Sequence, residues 1–204
     1  AIDVIQEEAT EDIEKMAAIT PSDKPYLKTG VFETFRQRIP WLLLLMISAT
    51  FTGSIITNYQ NAFVSYSILT AFIPMLMDTG GNSGSQSSVT IIRGLSLGDI
   101  EFRDIFRVIF KELRVSFFCG LTLAAANFAK LMLLDRVGMQ ISIVVSITIV
   151  CTVMFAKVVG CTLPMVAKKI GFDPAVMASP FITTIVDAVS LIIYFNIAVT
   201  ILHI

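Results

Sequence analysis

The chain has 204 residues, 55% of them hydrophobic and 15% charged, with a mean hydropathy of +0.79. One water-soluble core of that size cannot hide so much apolar surface, which excludes a soluble globular domain and points to an integral membrane protein. The formal net charge of −1 conceals a sorting: half of the acidic residues precede position 41, and few fall inside the apolar runs.

The opening "AIDVIQEEATEDIEKMAAI" places Ile2, Ile5, Ala9, Asp12, Met16 and Ile19 near one helical face, with carboxylates over much of the rest. It is too acidic for a signal peptide and starts on Ala1, so the chain is expected to be the C-terminal part of a longer protein. "TPSDKP" is expected to end this helix. Two readings stay open: a solvated linker, or a cytosolic gating element whose carboxylates meet a cation or a further domain. The expected division is a cytosolic connecting helix and linker over 1–30 and a transmembrane pore domain over 31–204.

Five apolar stretches approach the ~20 residues needed to cross a bilayer: Pro40 to Thr57, Ala62 to Met77, Val115 to Leu134, Ile141 to Val166 and Ala175 to Ile204. Lys15, Lys24, Lys28, Arg36 and Arg38 precede the first. Arg93, Arg103, Arg107, Lys111 and Arg114 follow the second, and Lys168 and Lys169 follow the fourth, whereas the alternate connections hold only Arg136. The positive-inside rule then puts the N-terminus in the cytosol and the C-terminus outside the cell (inner) membrane. "LSLGDIEFRDIFRVIFKELR" aligns Ile100, Ile105, Phe106, Ile109, Phe110 and Leu113, and predicts an interfacial helix on anionic headgroups.

Ionisable residues inside the apolar stretches are few: Asp78, Lys157 and Asp187, with Lys130 near an end where it can snorkel. Each needs a polar interior, since an unpaired charge in lipid costs several kcal/mol. In "FDPAVMASPFITTIVDAVSLIIYF", Asp173 and Pro174 read as N-cap and first helical residue. Ser179, Thr183 and Asp187 then recur at i, i+4 and i+8, followed by Ser190 and Tyr194. Pro180 cannot bond the Val176 carbonyl and is expected to free backbone oxygens beside Asp187. Without the carboxylate, such hydroxyls would read as packing contacts between helices.

"MDTGGNSGSQSS", Met77 to Ser88, interrupts the second stretch. Pro74, Gly80, Gly81 and Gly84 predict a broken helix there, tolerated only where protein or a wet cavity satisfies the backbone. Asn82, Ser83, Ser85 and Gln86 offer oxygens, and the glycines let carbonyls approach an ion. Carboxylate, amide, hydroxyl and carbonyl oxygens suit magnesium, calcium or manganese rather than zinc or copper. Cys119, Cys151 and Cys161 lack metal-site spacing and read as small hydrophobes. One Asp187 balances half of a divalent charge, so a twofold homodimer is expected.

The strings "PMLMDTGGNSGSQSSVTIIRGLSLGDI" and "GFDPAVMASPFITTIVDAVSLIIYF" resemble the transmembrane domain of the MgtE magnesium channel family, and "ATEDIEKM" resembles the end of its cytosolic region. The resemblance implies an all-α integral membrane fold of five helices per subunit, in a homodimer with its pore between the second and fifth spans of both chains. It implies Mg2+ as the bound and transported ion, cytosolic N and CBS domains as further partners, lipid around the spans, and no catalytic residues or nucleic-acid partner. By position, Asp187 would recognise hydrated magnesium, the backbone at Thr183 and Gly81 would add carbonyls, and Asn82 and Asp78 would lie nearby. Ser179 and Ser85 stand where the family can have asparagine, and a hydroxyl reaches less far.

Three other readings fit the sequence less well. An intramembrane aspartyl protease would use two carboxylates, but the glycines follow Asp78 rather than precede it. A serine hydrolase needs a histidine base, and the only histidine is His203; a phosphate loop would need GK[ST] after the glycines. The remaining alternative is a divalent-cation carrier or exchanger working by alternating access.

Overall fold

Lipid offers the backbone no hydrogen-bond partners, so a spanning segment must bond within itself. The computed structural model describes residues 2–22, 24–59, 64–177 and 179–203, and for 2–7, 64, 65 and 179 the backbone alone. All regular structure among these residues is helical. Residues 60–63, which include the first two positions of the second apolar stretch, and the side chains of Ile2 and Ile5 lie outside them.

Helix α1 (Ile2–Met16) stops before the prolines expected to end it. Ala18 turns left-handed (φ 56), the Ile19 N–H donates to the Glu14 carbonyl at 2.9 Å and the Ala18 N–H to Lys15 at 2.9 Å, a Schellman cap made without glycine. Helix α2 (Val31–Tyr59) keeps its apolar side chains exposed and packs on α6. A 3-10 stretch, Val64–Phe72, then leads into α3 (Ile73–Ser96).

Helix α3 corrects the expected break. It runs unbroken through "TGGNSGS", and Pro74 sits in its first turn, where no N–H is required. The glycines serve approach instead: a Cβ on Gly80 would lie 2.7 Å from Thr152 Cγ2 and 2.9 Å from Val186 Cγ1, and one on Gly84 2.8 Å from Ile182 Cγ2. They seat α3 against α5 (Met139–Lys169) and α6 (Ser179–Leu202). Such small-residue stripes are how membrane helices come close.

The interfacial helix is corrected likewise. Glu101 and Asp104 form a capping box around the 3-10 turn Phe102–Asp104, and α4 (Ile105–Leu133) continues from it without interruption. Ile105, Val108 and Ile109 pack on Ile91, Leu95, Cys161 and Met165, while Phe106 and Phe110 stay exposed. Helix α5 ends in a Schellman cap at Gly171 (φ 85), with the Phe172 N–H on the Ala167 carbonyl at 2.9 Å.

Four of the described segments are long and apolar enough to cross a membrane: Val31–Tyr59, Phe102–Asp135, Met139–Lys169 and Pro174–Leu202. Helix α3 is too polar to count among them, yet it lies inside the bundle. Its 12 buried residues include Gly80, Gly81, Ser83, Gly84, Ser87 and Ser88. The main core, around Leu76, Leu131, Val145, Ile149, Tyr194 and Phe195, closes one end of the bundle. Ala156, Ile182 and Val186 pack beside the glycines.

Candidate cation-conducting face

Asp78, Asn82 and Ser85 follow one another at i, i+4 and i+7 on α3, opposite the glycine face. Asp78, Asn82 and Gln86 are exposed in the single chain, and Ser85 is half-buried. Across from them on α6, Thr183 and Asp187 are half-buried. Gly81 brings the two helices together, since a Cβ there would meet Thr183 Cγ2 at 3.0 Å. Asp78 is the neighbouring like charge to Asp187. Two carboxylates thus share one region, and like charges so placed repel each other unless a cation or a proton offsets them.

Pro180 does not kink α6. It lies in the first turn, and its own carbonyl accepts the Thr183 and Thr184 hydroxyls at 3.0 and 2.9 Å. The Met177 carbonyl accepts Ser88 Oγ of α3 at 3.4 Å. These carbonyls are therefore already engaged by the chain. Asp173 does cap, as expected, accepting the Ala175 N–H at 2.9 Å, but for the 3-10 turn Pro174–Met177 rather than for α6. The side chain of Ser179 lies outside the described residues.

Asp78, Asn82 and Gln86 also line a cavity of about 590 Å³ between α3 and α4, walled opposite by Phe118, Cys119, Thr122 and Leu123 and closed at the back by Lys157. Lys157 pairs with neither aspartate. It is 5% exposed, its Nζ donates to Ser87 Oγ at 3.3 Å, and Ser87 Oγ donates to Glu112 Oε2 at 2.5 Å. Lys157 and Glu112 stand 4.0 Å apart. Sequence reading missed Glu112, placing it on a headgroup-bound helix. Its one signal was a carboxylate eight residues beyond Asp104, among Arg107, Lys111 and Arg114.

Two further hydroxyls border Gly80. Thr152 Oγ1 and Ser190 Oγ are buried without a hydrogen-bond partner among the described residues, and a Cβ on Gly80 would come 3.1 Å from Ser190 Oγ. Tyr194, farther along the same stripe, donates its hydroxyl to the Leu69 carbonyl at 2.8 Å. Tyr194 thus ties α6 to the 3-10 stretch Val64–Phe72. No three His, Cys, Asp or Glu side chains gather as a metal cluster among the described residues.

At the other end, α1 docks on the α5–α6 connection. Lys15 Nζ lies 2.6 Å from Asp173 Oδ2 and 2.6 Å from Glu11 Oε1. Its hydrogen bond to Asp173 raises the Lys15 ammonium above its ordinary range. Burial pushes the Asp173 carboxyl up, but the Lys15 and Ala175 hydrogen bonds outweigh it and hold the group below its ordinary 3.8.

Comparison with known proteins identifies the family. Residues 73–197 match the MgtE family model, described as a divalent cation transporter. The chain is 35% identical over 203 residues to the magnesium transporter MgtE of Thermus thermophilus, covering 97% of this chain and 43% of that protein. It is 35% identical over 206 residues to the magnesium transporter MgtE of Bacillus subtilis (99% and 44%), and 34% over 200 residues to that of Enterococcus faecalis (97% and 43%). It therefore spans less than half the length of these relatives. With the family model matching more than half of its length, the chain belongs to the MgtE family of divalent cation transporters.

Proposed function

We propose that this chain is the pore domain of a magnesium channel of the cell membrane, passing the hydrated ion between two copies of itself. The observation that carries the reading is the polar face of α3. Asp78 and Asn82 stand exposed on a helix half of whose residues are buried in the bundle, and Asp78 neighbours Asp187 of α6. Such a face needs water or a polar partner at membrane depth. A second copy apposing the same face encloses a wet path and doubles the carboxylates around one divalent ion.

In this reading α3, second in chain order, completes a set of five spans with the four apolar segments. Its 24 residues extend about 36 Å at 1.5 Å per residue, enough for the hydrocarbon. The N-terminus lies in the cytosol, residues 1–30 connect to cytosolic sensing domains and 31–204 form the pore. Magnesium keeps its water tightly, so contacts from Asp187, Asn82 and the hydroxyls run through the hydration shell. Asp187→Ala should abolish divalent uptake into proteoliposomes while leaving the dimer assembled; uptake at the wild-type rate removes Asp187 from the mechanism. Discrete unitary currents support a channel, and saturable coupled flux without them supports a carrier.

A further inference from the structure

The Lys157–Ser87–Glu112 cluster has no part in the path along α3 and α6. It joins three helices at the back of the cavity that opens onto Asp78, Asn82 and Gln86. Its two ionic side chains are 7% and 13% exposed. A salt bridge so enclosed is a weak source of stability, because desolvation offsets much of the attraction. Three helices in an apolar bundle could be joined at lower cost by leucines. The charge itself is therefore the feature to explain.

Among the described residues, Lys157 is the only cation lining the cavity, and Asp78 its only anion. Glu112 stands directly behind Lys157, bonded through Ser87. Without the ammonium, that carboxylate would confront the cavity and hold any divalent ion arriving by way of Asp78, Asn82 and Gln86. Without the carboxylate, the ammonium would repel the same ion. The pair cancels, and the cavity's net charge is left to Asp78.

We propose that Lys157 and Glu112, bridged by Ser87, are a positioning pair that fixes the charge behind α3, so that a divalent cation is drawn to Asp78 without being trapped at Glu112. The inference rests on the reading that α3 borders the cation path. Neither residue touches the ion in the native protein; each acts through the other and through the orientation of α3. A purely structural pair would behave differently, because loss of either member would then loosen the bundle in the same way.

The test is the sign of the change. In proteoliposomes of the full-length protein, Lys157→Gln should lower the half-saturating magnesium concentration about tenfold and also lower the maximal rate, since the ion is held. Glu112→Gln should raise the half-saturating concentration about tenfold. The double variant should return it to the wild-type value, and Lys157→Arg should retain it. Shifts of the same sign in both single variants, or an unmoved value in Lys157→Gln, overturn the proposal.

If the singles do not fold, the exchange Lys157→Glu with Glu112→Lys keeps a neutral pair and places the carboxylate on the cavity wall. It should tighten apparent affinity about tenfold, and wild-type affinity in the folded exchange variant overturns the proposal. Asp187→Ala is run alongside, and wild-type transport by it refutes the pore reading alone. The charge pair is then judged by the binding of Mn2+ followed by electron paramagnetic resonance, which requires no transport; tighter binding in Lys157→Gln and weaker binding in Glu112→Gln support it, and any other pattern overturns it.

Discussion

Gly160→Ala is the sharpest probe of how α3 is seated. A Cβ built on Gly160 falls onto the Gly84 carbonyl oxygen, with the Gly84 carbonyl carbon at 2.9 Å and its Cα at 3.1 Å. All three are backbone atoms, so no rotamer change relieves the contact. Carbon atoms settle near 3.5–4.0 Å, which requires α5 to retreat from α3 by roughly 1 Å. Overpacking of this kind costs about 1–3 kcal/mol, and an unyielding partner puts it at the top of that range. Alanine returns about 1 kcal/mol through helix propensity. The net loss is about 2 kcal/mol, which for a chain of this length lowers the melting temperature by about 4–8 °C. Fluorescence-detected size exclusion after heating in detergent reads it. Gly53→Ala in α2 is the control, because a Cβ there meets nothing within 4 Å, and it should melt at or above the wild type. A Gly160→Ala protein as heat-resistant as the wild type would refute the close α3–α5 approach.

Three further outcomes are expected. Tyr194→Phe strips the donor from the buried Leu69 carbonyl and should cost about 1–2 kcal/mol in the same melting assay, with the uptake half-saturation unchanged. Lys15→Met removes the partner of Asp173. With the pair partly exposed, the discounted loss is about 1 kcal/mol or less, seen as up to roughly fivefold faster amide exchange in α1. Asp173 is held below its ordinary 3.8, so its share of the docking is present above that value and lost as pH falls through the lowered one. Lys15 is raised above its ordinary 10.5, so its share is present below 10.5 and lost only as pH rises beyond. Exchange in α1 should therefore be flat, apart from its intrinsic pH dependence, between about pH 5 and 9; a step within that window refutes the assignment.

Membrane character and four of the five apolar segments were legible because bilayer thickness imposes a length on hydrophobic runs, whereas the second was placed too early, Val64–Phe72 being a 3-10 stretch ahead of the long helix Ile73–Ser96. Asp173 as a cap and Asp187 beside the glycine helix could also be read, each from a single carboxylate in a distinctive place. The glycines were misread for a physical reason. Helix propensity measured in water charges about 1 kcal/mol per glycine, but in lipid an unbonded backbone costs more than glycine's entropy, and the helix persists. The same residues that would break a helix in water let α3 approach Thr152, Ile182 and Val186. The interfacial helix failed similarly: a basic amphipathic stretch has the same pattern whether it lies on headgroups or begins a span. Lys157 could not be paired from sequence, because Glu112 is 45 positions away in the chain and joins it through Ser87.

Helix α3 carries its chemistry by assigning a different role to each face. Gly80 and Gly84 fix its distance from α5 and α6, Ser87 ties it to Glu112 and Lys157, and Asp78 and Asn82 are left facing outward. These roles depend on one another through helical geometry. Gly84 to Ser87 is three residues and Asp78 to Asn82 four, so a rotation of α3 that relieved a clash on the first face would swing the carboxylate on the last. If α3 lines the proposed pore, small residues at 80 and 84 would therefore bear on ion transport without touching the ion. It follows that Gly84→Ala, whose Cβ would press on Ile182 Cγ2 at 2.8 Å and the Ala156 carbonyl at 3.1 Å, should impair uptake through the angle of Asp78 even where the protein still folds. Uptake undiminished in a folded Gly84→Ala protein would show that the faces are independent.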